Sequence, residues 1–525
     1  MLIELKPLKR KGDEQIAAIL STIGQVVADY HKNPAYHDLL RNACVSFDWI
    51  QYKNNFREAI AERPAFDADC QSIHRRELLI DLRQVDMQNF EARLRRLLDR
   101  WAPASSDGRE QLLSSGQRPE LADGAAAAVA VAPRTVERVA PAARAASDDD
   151  KLYLEPFQLA RNSIIWSFNT LYWNALDRWE ATFNKSYEVA LPGGVTDACN
   201  PDFVAESVQQ LCQALDELRS KDQLPAEIFV LEIGVGNGTH ARTWLDEFER
   251  FTRAANTDYY ERLHYLMSDF SVCVLDVARE VVAPHSSKVS FLVVDATDPM
   301  KSLSFLRYKL MFIHISNVYD NLPSSALIRW DNQHYQVEVR AYLPRAEAEK
   351  IVDRYHLSER DLATTVARFL KIGPDYFDDW REGVRFWADV WHALKLEERC
   401  VLLPDLSQLK LFDGADGRDV QTLLESVSGN VRMHLNEMAL KSFINTMPLL
   451  HPRGIFQIQD IFITELEQYY SAFRGPGKYD GSVVNWVNGP LLRLVANRHG
   501  YDVHFRPFTY RQNSNITILT TSMRD

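Results

Sequence analysis

The sequence lacks the cysteine patterns that build disulfide frameworks and zinc sites. Only six cysteines occur among 525 residues, and none belongs to a Cys-x-x-Cys pair. Scattered single cysteines are typical of proteins that fold in a reducing compartment. We therefore expect neither disulfide bonds nor a metal site in this chain.

Long apolar runs and an excess of basic residues are lacking as well. No stretch of about 20 apolar residues occurs, as a membrane-spanning helix would need, and the N-terminal sequence MLIELKPLKRKGDEQ contains no signal-peptide core. The formal net charge of −12 opposes general nucleic-acid binding, because phosphate neutralisation requires a basic protein surface. These absences predict a cytoplasmic protein that crosses no membrane and binds no nucleic acid.

What the chain does contain is an ordinary globular composition interrupted by one biased segment. Hydrophobic residues make up 46% and charged residues 25% of a length that suits about two to four domains. Residues 103–150 are dominated by Ala, Pro, Ser, Asp and Arg, with too few large apolar side chains to offset the chain entropy lost on folding. We predict that this segment is a disordered linker.

Residues 1–102 carry two apolar stripes at helical spacing. Apolar side chains recur every three or four residues over 13–30 and again over 79–101. The pattern predicts a helical N-terminal domain in which the two stripes pack together. A second interpretation is that the stripes form a homodimer interface or dock a partner protein.

The most informative stretch spans residues 228–239 and has the sequence IFVLEIGVGNGT. Its apolar run, interrupted only by Glu232, is typical of a strand buried on both faces of a parallel sheet. Three glycines at alternate positions separate this run from Thr239, which opens a helical pattern; they are Gly234, Gly236 and Gly238. Such a unit aims unpaired helix N–H groups at a ligand over the strand end, which predicts a nucleotide-like ligand.

The spacing of the glycines distinguishes between nucleotide ligands. A dinucleotide fingerprint requires a third glycine where Thr239 stands, which disfavours a nicotinamide-dependent oxidoreductase. The pattern Glu-x-Gly-x-Gly-x-Gly resembles motif I of class I S-adenosylmethionine (SAM) methyltransferases, whose glycines let the backbone approach the ligand. The acidic residue before the glycines, Glu232, suits a ligand with an ammonium and a sulfonium group. A glycine-rich turn of another kind of α/β protein is the alternative.

Two more acidic residues follow strand-like segments downstream. Asp269 comes directly after 263–268, and Asp295 and Ala296 follow 289–294. A carboxylate at the tip of the second strand accepts hydrogen bonds from both ribose hydroxyls of a nucleoside, which is the role predicted for Asp269. The resemblance to class I methyltransferases places Asp295 and Ala296 against the adenine. Either acid alone is more often a helix cap, but acids at successive strand ends favour a ligand site.

A fourth strand-like segment, 309–315, ends in the sequence SNVYDNLP. In class I methyltransferases this strand end faces the transferable methyl group, so its side chains would orient or deprotonate the acceptor. We predict such catalytic roles for Asn317, Tyr319 and Asp320, with Asp320 as the first candidate for the base. Ser316, directly after the strand, is predicted to contact the cofactor.

The segment SNVYDNLP also resembles NEFFDALP of the MidA-like methyltransferases, which include the mitochondrial complex I assembly arginine methyltransferase. Asp269 and Ser271 match that family's acid and the serine two residues later, which adds Ser271 to the predicted cofactor site. The resemblance covers about residues 228–340 and implies SAM as the cofactor and arginine as one acceptor. The chain departs from the family at 316–317 and at Asn237, which leaves the acceptor open.

The remaining strand-like segments complete the order of a class I methyltransferase; they are 454–462, 501–505 and 515–520. The chain is thus predicted to be an α/β protein with a Rossmann-like seven-stranded sheet, divided between residues 151–342 and 425–525. Helical structure is predicted for 431–447 and for an insertion at 343–424. A flexible loop is predicted for 475–481, because the segment is rich in glycine.

The insertion alternates aromatic and acidic residues, as in PDYFDDWREGVRFWADVW. One interpretation is an acidic, aromatic lid that recognises a cationic substrate through carboxylates and cation–π contacts. The other is a small helical subdomain with a buried aromatic core and a solvated acidic face.

These features together predict a SAM-dependent methyltransferase that transfers a methyl group to nitrogen or oxygen by in-line displacement. The acceptor would be a protein side chain, arginine included, or a small molecule. Positioning of the reactants would supply most of the rate. The alternative from a different class is a non-catalytic SAM-binding assembly protein whose helical parts dock a partner.

Overall fold

The computed structural model describes residues 2–5, 13–37, 40, 43–48, 54–56, 60–64, 76–81, 87–100, 150–187, 197–471, 475–510 and 516–523. The chain divides into two compact units, residues 1–51 with 58–150 and residues 52–57 with 151–525. Nearly all of the predicted linker, 103–149, lies outside the described residues. Within the described ranges, no helix combines the length and the apolar character needed to cross a membrane.

The N-terminal unit contains both predicted helices and, in addition, a small sheet. Its elements are β1 (Leu2–Leu5), α1 (Asp13–His31), β2 (Ala43–Asp48), β4 (Ile60–Pro64), β5 (Arg76–Asp81) and α2 (Met87–Arg100); β3 (Asn54–Asn55) belongs to the second unit. The strand order is β1-β2-β5-β4. The prediction of a purely helical domain is therefore corrected, because strands as short as LIEL and RELLID show too little alternation to be distinguished by pattern.

The second unit begins with the elements that build the first half of the central sheet. They are β6 (Lys151–Tyr153), β7 (Gln158–Leu159), α3 (Ile164–Asn174), α4 (Leu176–Phe183), α5 (Pro201–Ser220), β8 (Ile228–Ile233), α6 (Thr239–Ala254), β9 (Leu263–Asp269), α7 (Val272–Val281), β10 (Val289–Val293), α8 (Pro299–Leu303) and β11 (Leu310–Ser316).

The chain then leaves the central sheet and later returns to it. The elements are β12 (Ala326–Trp330), β13 (Gln333–Pro344), α9 (Arg345–Arg354), α10 (Glu359–Ile372), α11 (Trp380–Ala393), β14 (Lys395–Leu403), β15 (Lys410–Phe412), β16 (Ala415–Asp416), α12 (Gly417–Glu425), β17 (Val431–His434), α13 (Glu437–Thr446), β18 (Leu450–Asp460), β19 (Phe462–Ile463), α14 (Gln468–Ser471), β20 (Gly477–Tyr479), β21 (Ser482–Val484), β22 (Val487–Asn488), α15 (Gly489–Arg498), β23 (Tyr501–Arg506) and β24 (Thr517–Met523).

The central sheet has seven strands in the order β10-β9-β8-β11-β18-β24-β23. Six of these strands run in the same direction, and β24 runs in the opposite direction between β18 and β23. The predicted α/β fold with a seven-stranded sheet is confirmed, and each of the seven predicted strands is present. The strand order reverses between β8 and β11, which creates the crevice where open α/β sheets bind their ligands.

The apolar character of β8 explains its place at the centre of this sheet. Val230 packs on one face with Trp244 and Phe248 of α6, whereas Leu231 and Ile233 face the opposite core. A strand covered on both faces must be apolar on both faces, as the run 228–233 is, apart from Glu232.

The predicted insertion is not purely helical, because strands separate the helices α9 to α11 from helix α12. Helices α9 to α11 are followed by β14, which pairs with β13 along its whole length and enters a sheet with the order β14-β13-β12-β17. The helix predicted for 431–447 is also corrected, since β17 occupies its beginning and α13 starts only at Glu437. Strand β17, VRMH, is only four residues long, and β14, KLEERCVLL, shows no regular alternation, so the sequence pattern distinguished neither from the helices around it.

The aromatic residues of α11 form a core. Phe386, Trp387 and Trp391 have no exposed surface, and the ring of Trp387 lies 4.5 Å from that of Trp179 in α4. On the acidic face, Asp389 accepts a hydrogen bond from the hydroxyl of Tyr355 at 2.8 Å. Burial of this kind matches the interpretation of the insertion as a packed subdomain.

The loop predicted to be flexible, 475–481, contains strand β20 and the turn of a β-hairpin, and the second strand of this hairpin, β21, follows directly. Lys478 in this hairpin is only 1% exposed. Its ammonium donates hydrogen bonds to the carbonyls of Trp391, His392 and Leu394 at the C-terminal end of α11. The burial lowers the pKa of Lys478 well below its ordinary value. The glycine-rich composition of the segment predicted flexibility and gave no sign that Lys478 would be buried.

Replacing Lys478 by methionine tests the anchor. Lys478→Met leaves three inward-facing carbonyls without their donor, so we expect the free energy of unfolding to fall by about 2 kcal/mol or more. Chemical denaturation measures the change. The matched control is Lys371→Met, an exposed lysine near the end of α10, for which we expect a loss below about 1 kcal/mol. Equal losses in both variants would contradict a structural role for the buried ammonium.

Candidate functional site

The glycine loop between β8 and α6 has a backbone that requires glycine. Gly234, Gly236 and Gly238 all have positive φ, at 77°, 53° and 82°. A Cβ atom on Gly234 would collide with Val318 Cγ2, and one on Gly238 would lie 3.0 Å from the backbone of Ala278. The loop is therefore held between the segment after β11 and helix α7, and its own backbone forms the surface beyond the end of β8.

Thr239 is the first residue of α6, as predicted. Its backbone N–H donates to Oδ1 of Asn237 at 3.0 Å, so a side chain of the loop caps one of the free N–H groups of the helix. The helix therefore begins directly over the crevice, with its positive dipole end toward it.

Glu232 has internal partners in place of the predicted ligand contact. Its Oε1 atom lies 3.0 Å from Nδ1 of His240, and its Oε2 accepts a hydrogen bond from the hydroxyl of Tyr265 at 2.7 Å. The side chain is 3% exposed and points toward α6 rather than past the strand end. The predicted cofactor contact of Glu232 is therefore corrected. Glu232 connects α6 to β8 and β9 behind the glycine loop.

His314 of β11 completes a buried polar cluster with Glu232 and His240. The three side chains bring their ligating atoms within 4.8 Å of one another. The two imidazole rings are stacked, however, with centroids 4.1 Å apart and planes at 19°. Ring nitrogen lone pairs lie in the ring plane, so parallel rings cannot both point at one ion about 2.0–2.1 Å away. Burial lowers the pKa of His314 well below its usual range, which favours the neutral form of this ring.

Asp269 ends β9, on the strand next to the glycine loop. Its Oδ1 atom accepts the backbone N–H of Ser271 at 2.9 Å, and Ser271 in turn caps α7 by accepting the N–H of Val274. The carboxyl group is 9% exposed, and burial raises its pKa to about 6. Gly234 donates its N–H to the carbonyl of Ser268, which joins the loop to this strand end. Asp269 and Ser271 therefore stand where the sequence placed them.

Phe270 was missed by the sequence reasoning. It lies between Asp269 and Ser271 and exposes 40% of its surface, unusual for so large an apolar side chain. An aromatic residue directly after an acid at a strand end was the available signal.

Asp295 and Ala296 follow β10 at the same edge of the sheet. The Oδ1 atom of Asp295 accepts hydrogen bonds from both the backbone N–H and the hydroxyl of Thr297, each at 2.8 Å. This local turn accounts for one oxygen of an exposed carboxylate. Ala296 is half-buried against the core below.

The segment after β11 reaches the glycine loop from the other side of the crevice. Ser316 is the half-buried last residue of β11. It follows Ile315, which pairs with Ile233 at the end of β8. Asn317 turns the chain with a φ of 52° and donates its N–H to the carbonyl of Gln459 at 2.9 Å. Val318, next in sequence, is the side chain that meets Gly234.

Tyr319 does not face the crevice, which corrects its predicted catalytic role. The side chain has no exposed surface and packs in the core beneath the sheet edge. Burial also raises the pKa of its hydroxyl far above the usual range. Tyr319 therefore anchors the turn that carries Asp320.

Asp320 is paired with Asp460, an acid at the end of β18 that the sequence reasoning overlooked. Asp460 is completely buried and Asp320 is 6% exposed. The Oδ2 atom of Asp460 accepts the N–H groups of Tyr319 at 2.9 Å and Asp320 at 3.3 Å, and Oδ1 accepts that of Ile461. Burial raises the pKa of Asp320 to about 7, and burial together with the nearby Asp320 charge raises that of Asp460 well above its usual value. An acid at a fifth strand end was the signal that could have revealed it.

Other parts of the chain hold the Asp320 turn in place. The side-chain N–H of Asn321 donates to Asp320 Oδ1 at 2.7 Å, and Asn321 Oδ1 accepts the indole N–H of Trp173 at 3.3 Å. Asn169 donates to the carbonyl of Asn321, and Asn485 donates its N–H to the carbonyl of Asp320. The turn is thus bound by α3 and by the segment after β21.

Comparison with protein-family models and with curated protein sequences finds no match. Among solved structures, the chain is similar to a COG1565 superfamily member from Burkholderia thailandensis bound to S-adenosyl-homocysteine, at 12% identity over 62% of this chain and 76% of that chain, with a TM-score of 0.37. It is also similar to another COG1565 superfamily structure from that organism, at 12% identity over 70% of this chain and 87% of that chain, with a TM-score of 0.41. The chain is also similar to a magnesium protoporphyrin IX methyltransferase from Synechocystis PCC 6803, at 10% identity over 68% of this chain and 97% of that chain, with a TM-score of 0.27. With TM-scores this low, the assignment of the site depends on this chain's own strand order and side chains.

Asp269→Ala tests the proposed ribose contact. Two hydrogen bonds to a charged group contribute about 1.5–3 kcal/mol each, so we expect S-adenosylhomocysteine to bind at least about 100-fold more weakly. Calorimetric titration measures the affinity. Asp276→Ala, which removes an exposed carboxyl group of α7, serves as the control and should bind as the wild type does. Unchanged affinity in the Asp269 variant would rule out this cofactor assignment.

Gly234→Ala tests the fit of the loop against the β11 segment. The new methyl group must push Val318 aside while the backbone holds a left-handed φ, so we expect at least about tenfold weaker S-adenosylhomocysteine binding. Gly429→Ala is the matched control, because Gly429 has a similar φ of 70° but open space around it. If Gly234→Ala binds S-adenosylhomocysteine as tightly as Gly429→Ala and the wild type do, the close approach of Val318 to Gly234 is unimportant for the site.

Proposed function

We propose that this protein is a SAM-dependent methyltransferase of the class I fold. The observation that carries the proposal is the glycine loop, which leaves β8 at the switch point of the sheet and meets the segment after β11. Ligands of open α/β sheets bind beyond the carboxyl ends of the strands at this point. Asp269, at the neighbouring strand end, supplies the carboxylate that a ribose needs.

The residues around the crevice fit the parts of SAM. The glycine loop borders the methionine part, and Asp269 accepts the ribose hydroxyls. Asp295, Ala296 and the exposed ring of Phe270 provide a polar and apolar surface for the adenine. When bound, SAM supplies a methyl group on a positively charged sulfur.

Asp320 is the residue that we assign to the proton of the acceptor. It receives the proton that the acceptor's nitrogen or oxygen loses as the new bond to the methyl carbon forms. The bond between carbon and sulfur breaks in the same step, and its electrons stay on the sulfur. Asn317, at the end of β11, is assigned to orient the acceptor. The buried turn holds both residues in a fixed position, which favours reaction by proximity.

The acceptor is proposed to be a nitrogen or oxygen nucleophile of a protein side chain or a small molecule. The resemblance to MidA-like methyltransferases makes a protein arginine the first to try. Recognition by the helical part of the insertion, and homodimerisation through α1 and α2, belong to the same proposal. A cytoplasmic location is part of the same proposal.

A second candidate is a non-catalytic SAM-binding assembly protein. The observation in its favour is the burial of the proposed base: Asp320 is 6% exposed, and Tyr319 has no exposed surface. Such a site offers an acceptor little open surface. The scaffold would retain its cellular role without the Asp320 carboxylate.

Transfer of a labelled methyl group separates the two candidates. Incubation of the protein with methyl-labelled SAM and an extract of its own cells should label an acceptor, and Asp320→Asn should reduce that labelling by at least about 100-fold, as expected for loss of a general base. Asp353→Asn, an exposed carboxyl group of α9, is the control and should label normally. Equal labelling by the wild type and Asp320→Asn would contradict the base assignment. SAM binding without any labelling would favour the scaffold.

The rate of methyl transfer should also depend on pH. A base acts only when ionised, and the pKa of Asp320 is raised to about 7. We therefore expect the rate measured at SAM concentrations far below saturation, which reports the protonation state of the enzyme without SAM, to rise from pH 6 to pH 8, with a slope near tenfold per pH unit on the acid side. A rate that is constant over this range would exclude Asp320 as the proton acceptor.

A further inference from the structure

The Asp320–Asp460 pair consists of two buried carboxyl groups without a cation. Their hydrogen-bond donors are backbone N–H groups and the amide of Asn321. Among the residues that the structure describes, no ion pair joins either carboxyl group to a Lys, Arg or His side chain. An ionised carboxylate in such surroundings is costly, because nothing in the protein compensates its charge.

Two acidic residues on neighbouring elements have cationic partners of their own. Glu437 of α13 forms a salt bridge of 3.0 Å with Arg161. Asp480, just before β21, lies 3.4 Å from Lys185 and accepts the indole N–H of Trp179. Tyr319, the remaining titratable group at the turn, is buried and neutral. Within the described ranges, the protein thus supplies the pair with no positive charge, so a proton or a bound cation has to neutralise it.

The turn that carries Asp320 begins beside the glycine loop. Val318, two residues before Asp320, is in contact range of Gly234 in the glycine loop. If the proposed function is correct, this loop borders the methionine part of SAM, which carries the positive sulfur. We propose that the sulfonium of SAM is the missing counter-ion and that its binding expels a proton held by the Asp320–Asp460 pair.

The consequence is a different treatment of cofactor and product. Methyl transfer breaks the bond between carbon and sulfur, leaves the bonding electrons on sulfur and turns the sulfonium into an uncharged thioether. The acceptor forms its bond to the methyl carbon and gives its proton to the pair. The pair is then neutralised by a proton instead of by the ligand, so the attraction that held SAM is absent for S-adenosylhomocysteine. Product release follows from the same chemistry as transfer.

The test compares the pH dependence of two ligands that differ by one methyl group and one charge. Calorimetric titrations with SAM and with S-adenosylhomocysteine are made between pH 5.5 and pH 8.5. Both ligands have the same ribose, so the titration of Asp269 cancels in the ratio of their affinities. We expect the preference for SAM to rise by up to about tenfold per pH unit on the acid side of neutrality and then to level off.

The same calorimetric titrations in buffers with different ionisation enthalpies measure how many protons the protein releases when each ligand binds. Near pH 6, SAM binding should release close to one proton more than S-adenosylhomocysteine binding does. Asp320→Asn should abolish this difference, and its circular dichroism spectrum and thermal unfolding show whether the variant is folded. The control Asp353→Asn should behave as the wild type does.

The failures of the two proposals are distinguishable. If both ligands bind but their affinity ratio is independent of pH, the sulfonium is not the counter-ion of the pair, while the cofactor assignment stands. If the ratio changes with pH equally in the wild type, in Asp320→Asn and in Asp460→Asn, a group outside the pair is responsible and the inference is overturned. If neither ligand binds at any pH, the proposed function is wrong and the inference is lost with it.

Discussion

The contact between the glycine loop and the segment after β11 is the constraint on which the rest of the site depends. It exists because β8 and β11 are paired in parallel up to Ile233 and Ile315, so their ends leave the sheet side by side. The order of strands reverses at this pair, and the two chain segments diverge around a crevice. Gly234 then has to lack a side chain, because Val318 occupies the space beside it.

Two buried ionisable side chains have partners suited to their charge. Glu232 is held by Tyr265 and His240, and the ammonium of Lys478 is held by three carbonyls. The Asp320–Asp460 pair differs, because its partners are neutral donors only. Since burying a charge without a counter-charge is costly, this is the place in the site where a positively charged ligand changes the energy most.

The parts of the chain outside the central sheet give the site its rigidity. Helix α3 contacts the Asp320 turn through Asn169 and Trp173, and Asn485 binds it from the segment after β21. These residues lie more than a hundred positions from the turn in sequence. The packed aromatic core of α11 in turn supports the hairpin that precedes Asn485, through Trp391 and the carbonyls that bind Lys478.

The sequence alone determined the seven strands, the glycine loop and Asp269, because these depend on local patterns: apolar runs, glycine spacing and an acid after a strand. Tertiary structure decided where the side chains point and which distant residues meet. Alternation along β8 turns Glu232 toward α6, burial withdraws Tyr319, and the pairing of β11 with β18 brings Asp460 to Asp320. Such facts depend on register and packing between segments far apart in the chain, which a linear pattern does not contain.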